Sequence, residues 1–99
     1  MVTFHGIFTV KSGFRAEYVE AIRASRLVEA FRKQKGCIFY EVSEAVLEPD
    51  DVIVSDAWET EVDFKGHVDS QAVADWHEIY HRYVINSVEH EYHFEPLKG

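Results

Sequence analysis

A single cysteine, Cys37, stands among 99 residues, so no intrachain disulfide can staple this fold. Nowhere is there a run of about 18 apolar residues of the kind a membrane-spanning helix needs, nor a basic-then-apolar amino terminus that would mark a signal peptide. A cytoplasmic protein is the expectation. Positive charge is also scarce: ten lysines and arginines face eighteen acidic residues, a formal net charge of −8, with the charges scattered rather than blocked. Such a surface makes nucleic acid and anionic membrane poor partners. Apolar mass, by contrast, is ample. At 46% hydrophobic, with seven Phe, five Tyr and two Trp, the chain can build one core, and its length leaves no room for a second domain, so residues 1–99 read as a single unit. Burying one further face against a second subunit would add stability to so short a chain.

Residues 2–10 alternate, with Val2, Phe4, Phe8 and Val10 on one face and Thr3, His5, Ile7 and Thr9 on the other, the period of a strand; Gly6 leaves a gap in the bulkier face. After the Lys11-Ser12-Gly13 turn, Phe14, Tyr18, Ile22, Val28 and Phe31 recur at near-helical spacing, and Arg32, Lys33, Lys35 and Gly36 supply a helix stop. Residues 37–45 read as a second strand with Ile38, Tyr40 and Val42 on one face, and the turn at Glu48-Pro49-Asp50-Asp51 leads to a third strand over 52–58. Thr60 and Ser70 are placed to cap two successive helical segments, the second reaching about Val84. A last strand over 87–95 alternates Val88, His90, Tyr92 and Phe94 with Glu89, Glu91, His93 and Glu95.

This order predicts the α+β class: a ferredoxin-like β-α-β-β-α-β antiparallel sheet with helices on one face. Ile7, Phe39, Ile53 and Ala57 then fall on the uncovered face, and a second copy of the sheet is the simplest cover, so a homodimer is expected.

Several segments also look familiar together: Val10-Lys11-Ser12-Gly13, Gly36-Cys37-Ile38-Phe39-Tyr40-Glu41, the Pro49-Asp50 turn, and Trp58-Glu59 followed by His67 and Ser70. In order and separation, over nearly the whole chain, they resemble the antibiotic-biosynthesis-monooxygenase-like proteins. The resemblance implies a dimeric α+β barrel with a small-molecule pocket between sheet and helices in each subunit. That family includes cofactor-independent oxygenases of polyketide-like phenols and quinols, heme-degrading enzymes, isomerases of small signalling molecules, and members with no known reaction. The shared fold therefore leaves the reaction to be chosen by pocket residues.

By that resemblance, Trp58 matches a pocket-lining tryptophan, although a core role suits it equally. Val54 and Phe64 stand where the polyketide oxygenases carry asparagine and tyrosine, which argues against their substrate and makes Phe64 an apolar wall. His67 matches a histidine common in the family. As a base it could take a proton from an acidic phenol or enol and leave a carbanion able to pass an electron to oxygen; the alternative is a structural histidine bonded to backbone. His77 shares a helical stripe with Val73, Trp76, Tyr80 and Val84, and corresponds to the heme ligand of the heme-degrading members. Those members carry an asparagine where Gly6 stands, so heme degradation by their mechanism is not expected, while Gly6 leaves open a wider pocket beside it.

His77-Glu78-Ile79-Tyr80-His81 spells the zinc-peptidase pattern H-E-x-x-H, but Val84 and Ser87 occupy the positions where metzincins need glycine and their third histidine. Helical geometry also turns His81 about 80° from the Val73 stripe. No metal is expected there beyond adventitious zinc or nickel on the His77 and His81 pair. His90 can join the pocket from below or be a satisfied core histidine; His5 and His93 suit an interface or solvent, and Lys65 and Arg82 the surface. The leading expectation is a monooxygenase of a small aromatic, quinol or polyketide-like substrate that needs no cofactor, with His67 and His77 as candidate bases and Trp58, Phe64, Trp76, Tyr80 and His90 shaping the site. The alternatives are an isomerase of a small carbonyl compound and a non-catalytic dimeric ligand-binding module.

Overall fold

The computed structural model describes residues 1–94, arranged as β1 (Val2–Val10), α1 (Arg15–Ser25), α2 (Leu27–Arg32), β2 (Cys37–Glu44), β3 (Asp51–Trp58), α3 (Glu61–Val68), α4 (Gln71–Tyr83) and β4 (Val84–His93). The strands form one antiparallel sheet in the order β2-β3-β1-β4, the ferredoxin-like topology expected from the element order. Glu95, placed in the last strand by its alternation, lies outside the described residues.

Register explains the layering. Phe4 opposes Asp56, Gly6 opposes Val54 and Phe8 opposes Val52, so the residues of β1 and β3 that alternate inward share one face. That face packs with Tyr18, Ile22, Leu27, Phe31, Val73 and Trp76 of the helices into one apolar core. The other face carries Ile7 between Ile53 and Val88, His5 between Ser55 and His90, and Thr3 between Ala57 and Tyr92. The four apolar residues assigned there from alternation do lie there, and Phe39, Val88 and Tyr92 keep 40%, 47% and 50% of their surface exposed.

Three local expectations are corrected. The stretch after the first strand is two helices, not one, broken at Arg26, which takes φ 61°. Tyr18 and Ile22 point inward one turn apart, and an unbroken helix would bring Arg26 onto the same buried stripe. The left-handed residue shifts the phase by one position, so that Leu27 and Phe31 continue the stripe and Arg26 stays exposed. Ser25 supports the break: its hydroxyl donates to Ile22 O at 2.6 Å and accepts from Leu27 N at 3.2 Å. In β2, the pairing with β3 slips between Cys37 and Phe39, which leaves Ile38 48% exposed while Tyr40 and Val42 face inward. On β4 the faces are the reverse of those expected, with Glu89 and Glu91 opposite Gly6 and Phe4, and Val88 and His90 on the open side.

Candidate functional site

The two predicted caps build the platform for the site. Thr60 Oγ1 accepts from Asp63 N at 3.1 Å to start α3, and Ser70 Oγ accepts from Val73 N at 3.2 Å to start α4. The Ser70 hydroxyl also donates to the carbonyl of His67 at 2.6 Å, so the joint between the two helices grips the backbone of His67. On the sheet side, β3 presents Val54, Asp56 and Trp58 inward at alternate positions.

Between sheet and helices lies a cleft of about 290 Å³. Phe4, Phe8, Tyr40, Val54, Asp56 and Glu89 form its strand wall, and Phe64, His67, Val68, Val73, Trp76, His77, Tyr80 and His81 its helix wall. The volume lies at the small end of ligand clefts and suits one or two rings. A second hollow, between Gln34, Lys35, Val62, Asp63, Gly66 and His67, lies beyond His67 and lacks aromatic walls.

Trp58 does not line the cleft. It is fully buried behind it, stacked on His67 with ring centroids 4.4 Å apart and planes 23° from parallel. Its indole Nε1 donates to Asp56 Oδ2 at 2.7 Å. Asp56 is only 2% exposed, and its other oxygen, Oδ1, is buried with no partner among the described residues. Burial pushes its carboxyl up to about 6, against a smaller downward pull from the Trp58 hydrogen bond.

His67 is 7% exposed and enclosed by rings: Phe31 meets it edge-on at 4.8 Å and Tyr40 at 5.6 Å. Burial lowers its pKa to about 4, so the imidazole is neutral at physiological pH. Nδ1 lies 2.6 Å from Gln34 Oε1, and a carbonyl oxygen can only accept, so Nδ1 carries the proton and Nε2 the lone pair. The alternative of a histidine held by backbone gives way to one held by a side-chain amide. Tyr40 is kept protonated, its pKa driven upward first by burial and then by the charge of Asp56.

The structure thus brings His67, Phe64, Trp76, His77 and Tyr80 to one cleft and places Trp58 behind it. It does not bring His90, which pairs with His5 on the open face; Glu89 takes the inward position instead. The alternation of β4 misleads because the helices leave that edge strand's inner face exposed, so acidic residues sit there without burial. His77 and His81 are exposed on the rim with rings 6.1 Å apart, and no group of three metal-ligating side chains occurs among the described residues. The space expected beside Gly6 is filled: a Cβ there would come within 2.9 Å of the Phe8 ring and 3.1 Å of the Phe4 ring, which close over it.

Asp56 is the residue that the motifs passed over. Its signal was a carboxylate at an inward position of a strand whose neighbours on that face are Val52, Val54 and Trp58. A buried, half-partnered carboxylate with a pKa near neutrality can accept a proton from a hydroxyl bound in the cleft.

A family model described as antibiotic biosynthesis monooxygenase matches residues 1–79. No curated protein matches the chain. Among solved structures, a Nitrosomonas europaea protein provisionally named an antibiotic biosynthesis monooxygenase superposes with a TM-score of 0.83 at 16% identity, over 95% of this chain and 98% of that one. A protein from Shewanella oneidensis gives 0.83 at 22% identity, over 94% and 89%. A Deinococcus radiodurans protein, again provisionally named a monooxygenase of this kind, gives 0.81 at 20% identity, over 100% and 97%. At these identities the likeness carries the fold.

Proposed function

Because the chain belongs to the antibiotic biosynthesis monooxygenase family, we propose that it oxygenates a small one- or two-ring phenol or quinol in the aromatic cleft without a cofactor, with Asp56 as the proton acceptor. The observation that carries this reading is Asp56 itself: buried, without a partner for Oδ1 among the described residues, and shifted to about 6. A general base works best when its pKa lies near the working pH. By that measure Asp56 is better matched than His67, the base expected from the sequence, whose conjugate acid at about 4 makes it a weak one. His67 instead offers Nε2 as a fixed hydrogen-bond acceptor that orients the substrate, and Trp58 positions both groups.

The chemistry balances simply. Asp56 takes the hydroxyl proton, and the electron-rich anion passes one electron to dioxygen. The resulting radicals couple to form a carbon–oxygen bond. The peroxide then breaks its O–O bond, leaving one oxygen as a new carbonyl and the other as water, whose two hydrogens come from the substrate's O–H and C–H. Low local polarity around Phe4, Phe8, Tyr40 and Trp76 suits the radical pair by keeping water away.

The exposed apolar residues of the open face, Phe39, Val88 and Tyr92, together with Ile7 and Ile53, support a homodimer in which two such faces meet. Sedimentation at micromolar concentration tests it, and a monomer would refute it.

Oxygen uptake by metal-stripped protein with simple quinols, set beside Asp56→Asn, tests the reaction. Uptake with a quinone product, lost in the variant, is expected. Undiminished uptake in the variant would overturn the assigned base. Turnover of a carbonyl compound under strict anaerobiosis would replace oxygenation with isomerisation. Ligand-induced stabilisation with no product would leave a binding module.

A further inference from the structure

The charge lining the cleft is one-sided. Its helix wall carries neutral His67 and the rim histidines, and no lysine or arginine lines it among the described residues. Two carboxylates do. Asp56 lies at the buried end, and Glu89 on the exposed strand β4. Both project from the same face of the sheet: Asp56 pairs with Phe4 and Glu89 with Gly6, two residues along β1 and on its opposite sides. With strands about 4.8 Å apart and a rise of about 3.3 Å per residue, their backbones are separated by roughly 12 Å. Both side chains line the one cleft, and a ring carrying a short chain is a ligand of a length to run between them.

The two ends differ in what they can receive. Oδ1 of Asp56 is buried and has no hydrogen-bond partner among the described residues, and a ligand hydroxyl would supply the donor. Glu89 is open to solvent, and Tyr80 and Phe4 line the same cleft, offering ring faces that attract a cation. An anionic group placed anywhere along this path meets a carboxylate and, among the described residues, no lysine or arginine lining the cleft to offset it.

We propose that Glu89 is a specificity-determining residue that selects hydroxyaromatic ligands bearing a positively charged amine on a short side chain, and rejects those bearing a carboxylate. The proposal rests on the reading that the ligand hydroxyl points to Asp56. The amine end then lies against Glu89, and the ring spans the aromatic walls between them. This refines the substrate class from any small phenol to an aminoalkyl phenol or a neutral one.

Three ligands that share one ring test it by calorimetric titration: 4-hydroxyphenethylamine, 4-ethylphenol and 3-(4-hydroxyphenyl)propanoate. Work at about pH 8 keeps the ligand amine and the ligand carboxylate both ionised. Wild type should bind the amine about tenfold more tightly than the carboxylate, with the neutral phenol between them. Glu89→Gln should shrink that ratio, and Glu89→Lys should reverse the order. Equal or tighter binding of the carboxylate by wild type would overturn the proposal, as would an order that survives Glu89→Lys, or no binding of any of the three at millimolar concentration. Failure of the proposed reaction would show elsewhere, in turnover of neutral phenols that ignores Asp56→Asn. A charge order insensitive to Glu89, beside turnover that does depend on Asp56, would sink this inference alone.

Discussion

The cleft holds histidines at two places, and the contrast between them shows what sequence motifs leave out. His67 is stacked on Trp58, ringed by Phe31 and Tyr40, and pushed down to about 4 by burial. His77 and His81 stand on the rim, exposed to solvent, although theirs is the segment that spells a metallopeptidase signature. One imidazole has been made neutral, oriented and directional by its surroundings; the other two keep a pattern without an environment. Chemistry here follows enclosure more than spelling.

The strongest way to break the comparison is to remove the inner carboxylate. Asp56→Asn keeps the shape and the acceptor for Trp58 but deletes the base, and kcat/KM should fall by about 10²- to 10⁴-fold. In wild type the base must be ionised, so kcat/KM should rise with pH through about 6 and level above it. A rate profile whose acid limb fell near 4 would hand the proton to His67 instead.

Trp58 sharpens the same contrast. Trp58→Ala opens a cavity in the core beneath His67 and should destabilise the fold by about 3–5 kcal/mol in denaturant unfolding. Trp58→Phe retains most of the stack but takes from Asp56 the hydrogen bond of the indole, a loss of about 1–3 kcal/mol. That bond is the influence holding the carboxyl down, so the acid limb of the phenylalanine variant should move above its wild-type position. An unmoved limb would mean that Trp58 only fills space.

How much of this could be read beforehand divides along physical lines. Alternation in β1 and β3, the caps at Thr60 and Ser70 and the order of the four strands are local, and they came through intact. The break at Arg26 was legible only through phase, since Ile22 and Leu27 are five apart where a continuous stripe would use four. On β4, apolar alternation predicted the wrong face because an edge strand obeys whichever neighbour covers it, and the helices do not. Trp58 and His67 were picked out by resemblance, yet their relation, one stacked behind the other, arises only in three dimensions. Asp56 was present in the pattern as a polar intruder on an apolar face, and no motif drew attention to it.

The two buried groups also oppose one another in stability. His67 has a folded pKa of about 4, below the ordinary 6.5, so its stabilising contribution is complete above 6.5 and is lost as pH falls towards 4. Asp56 has a folded pKa of about 6, above the ordinary 3.8, so its contribution is complete below 3.8 and is lost as pH rises through 6. Between about 4 and 6 the two slopes offset. Asp56→Asn removes one of them, and the variant should gain about 3 kcal/mol relative to wild type between acid and neutral pH. Parallel stability curves for the two proteins would show that Asp56 carries no such shift.

The smallest effect belongs to the rim. Because His77 and His81 are exposed and make no hydrogen bond or ion pair among the described residues, replacing both with alanine should change unfolding stability by no more than about 0.5 kcal/mol. Their rings border the cleft mouth, so KM can shift modestly, but kcat should stay within about threefold of wild type because the proton is handled at the other end. Competing effects separate cleanly in one experiment, steady-state oxygen uptake by the double variant with and without added zinc. A large fall in kcat would move the proton chemistry to the rim, against the burial argument. Zinc inhibition confined to wild type would show that the paired histidines do take a metal when offered one, as two imidazoles a helical turn apart can, without making that metal part of the reaction.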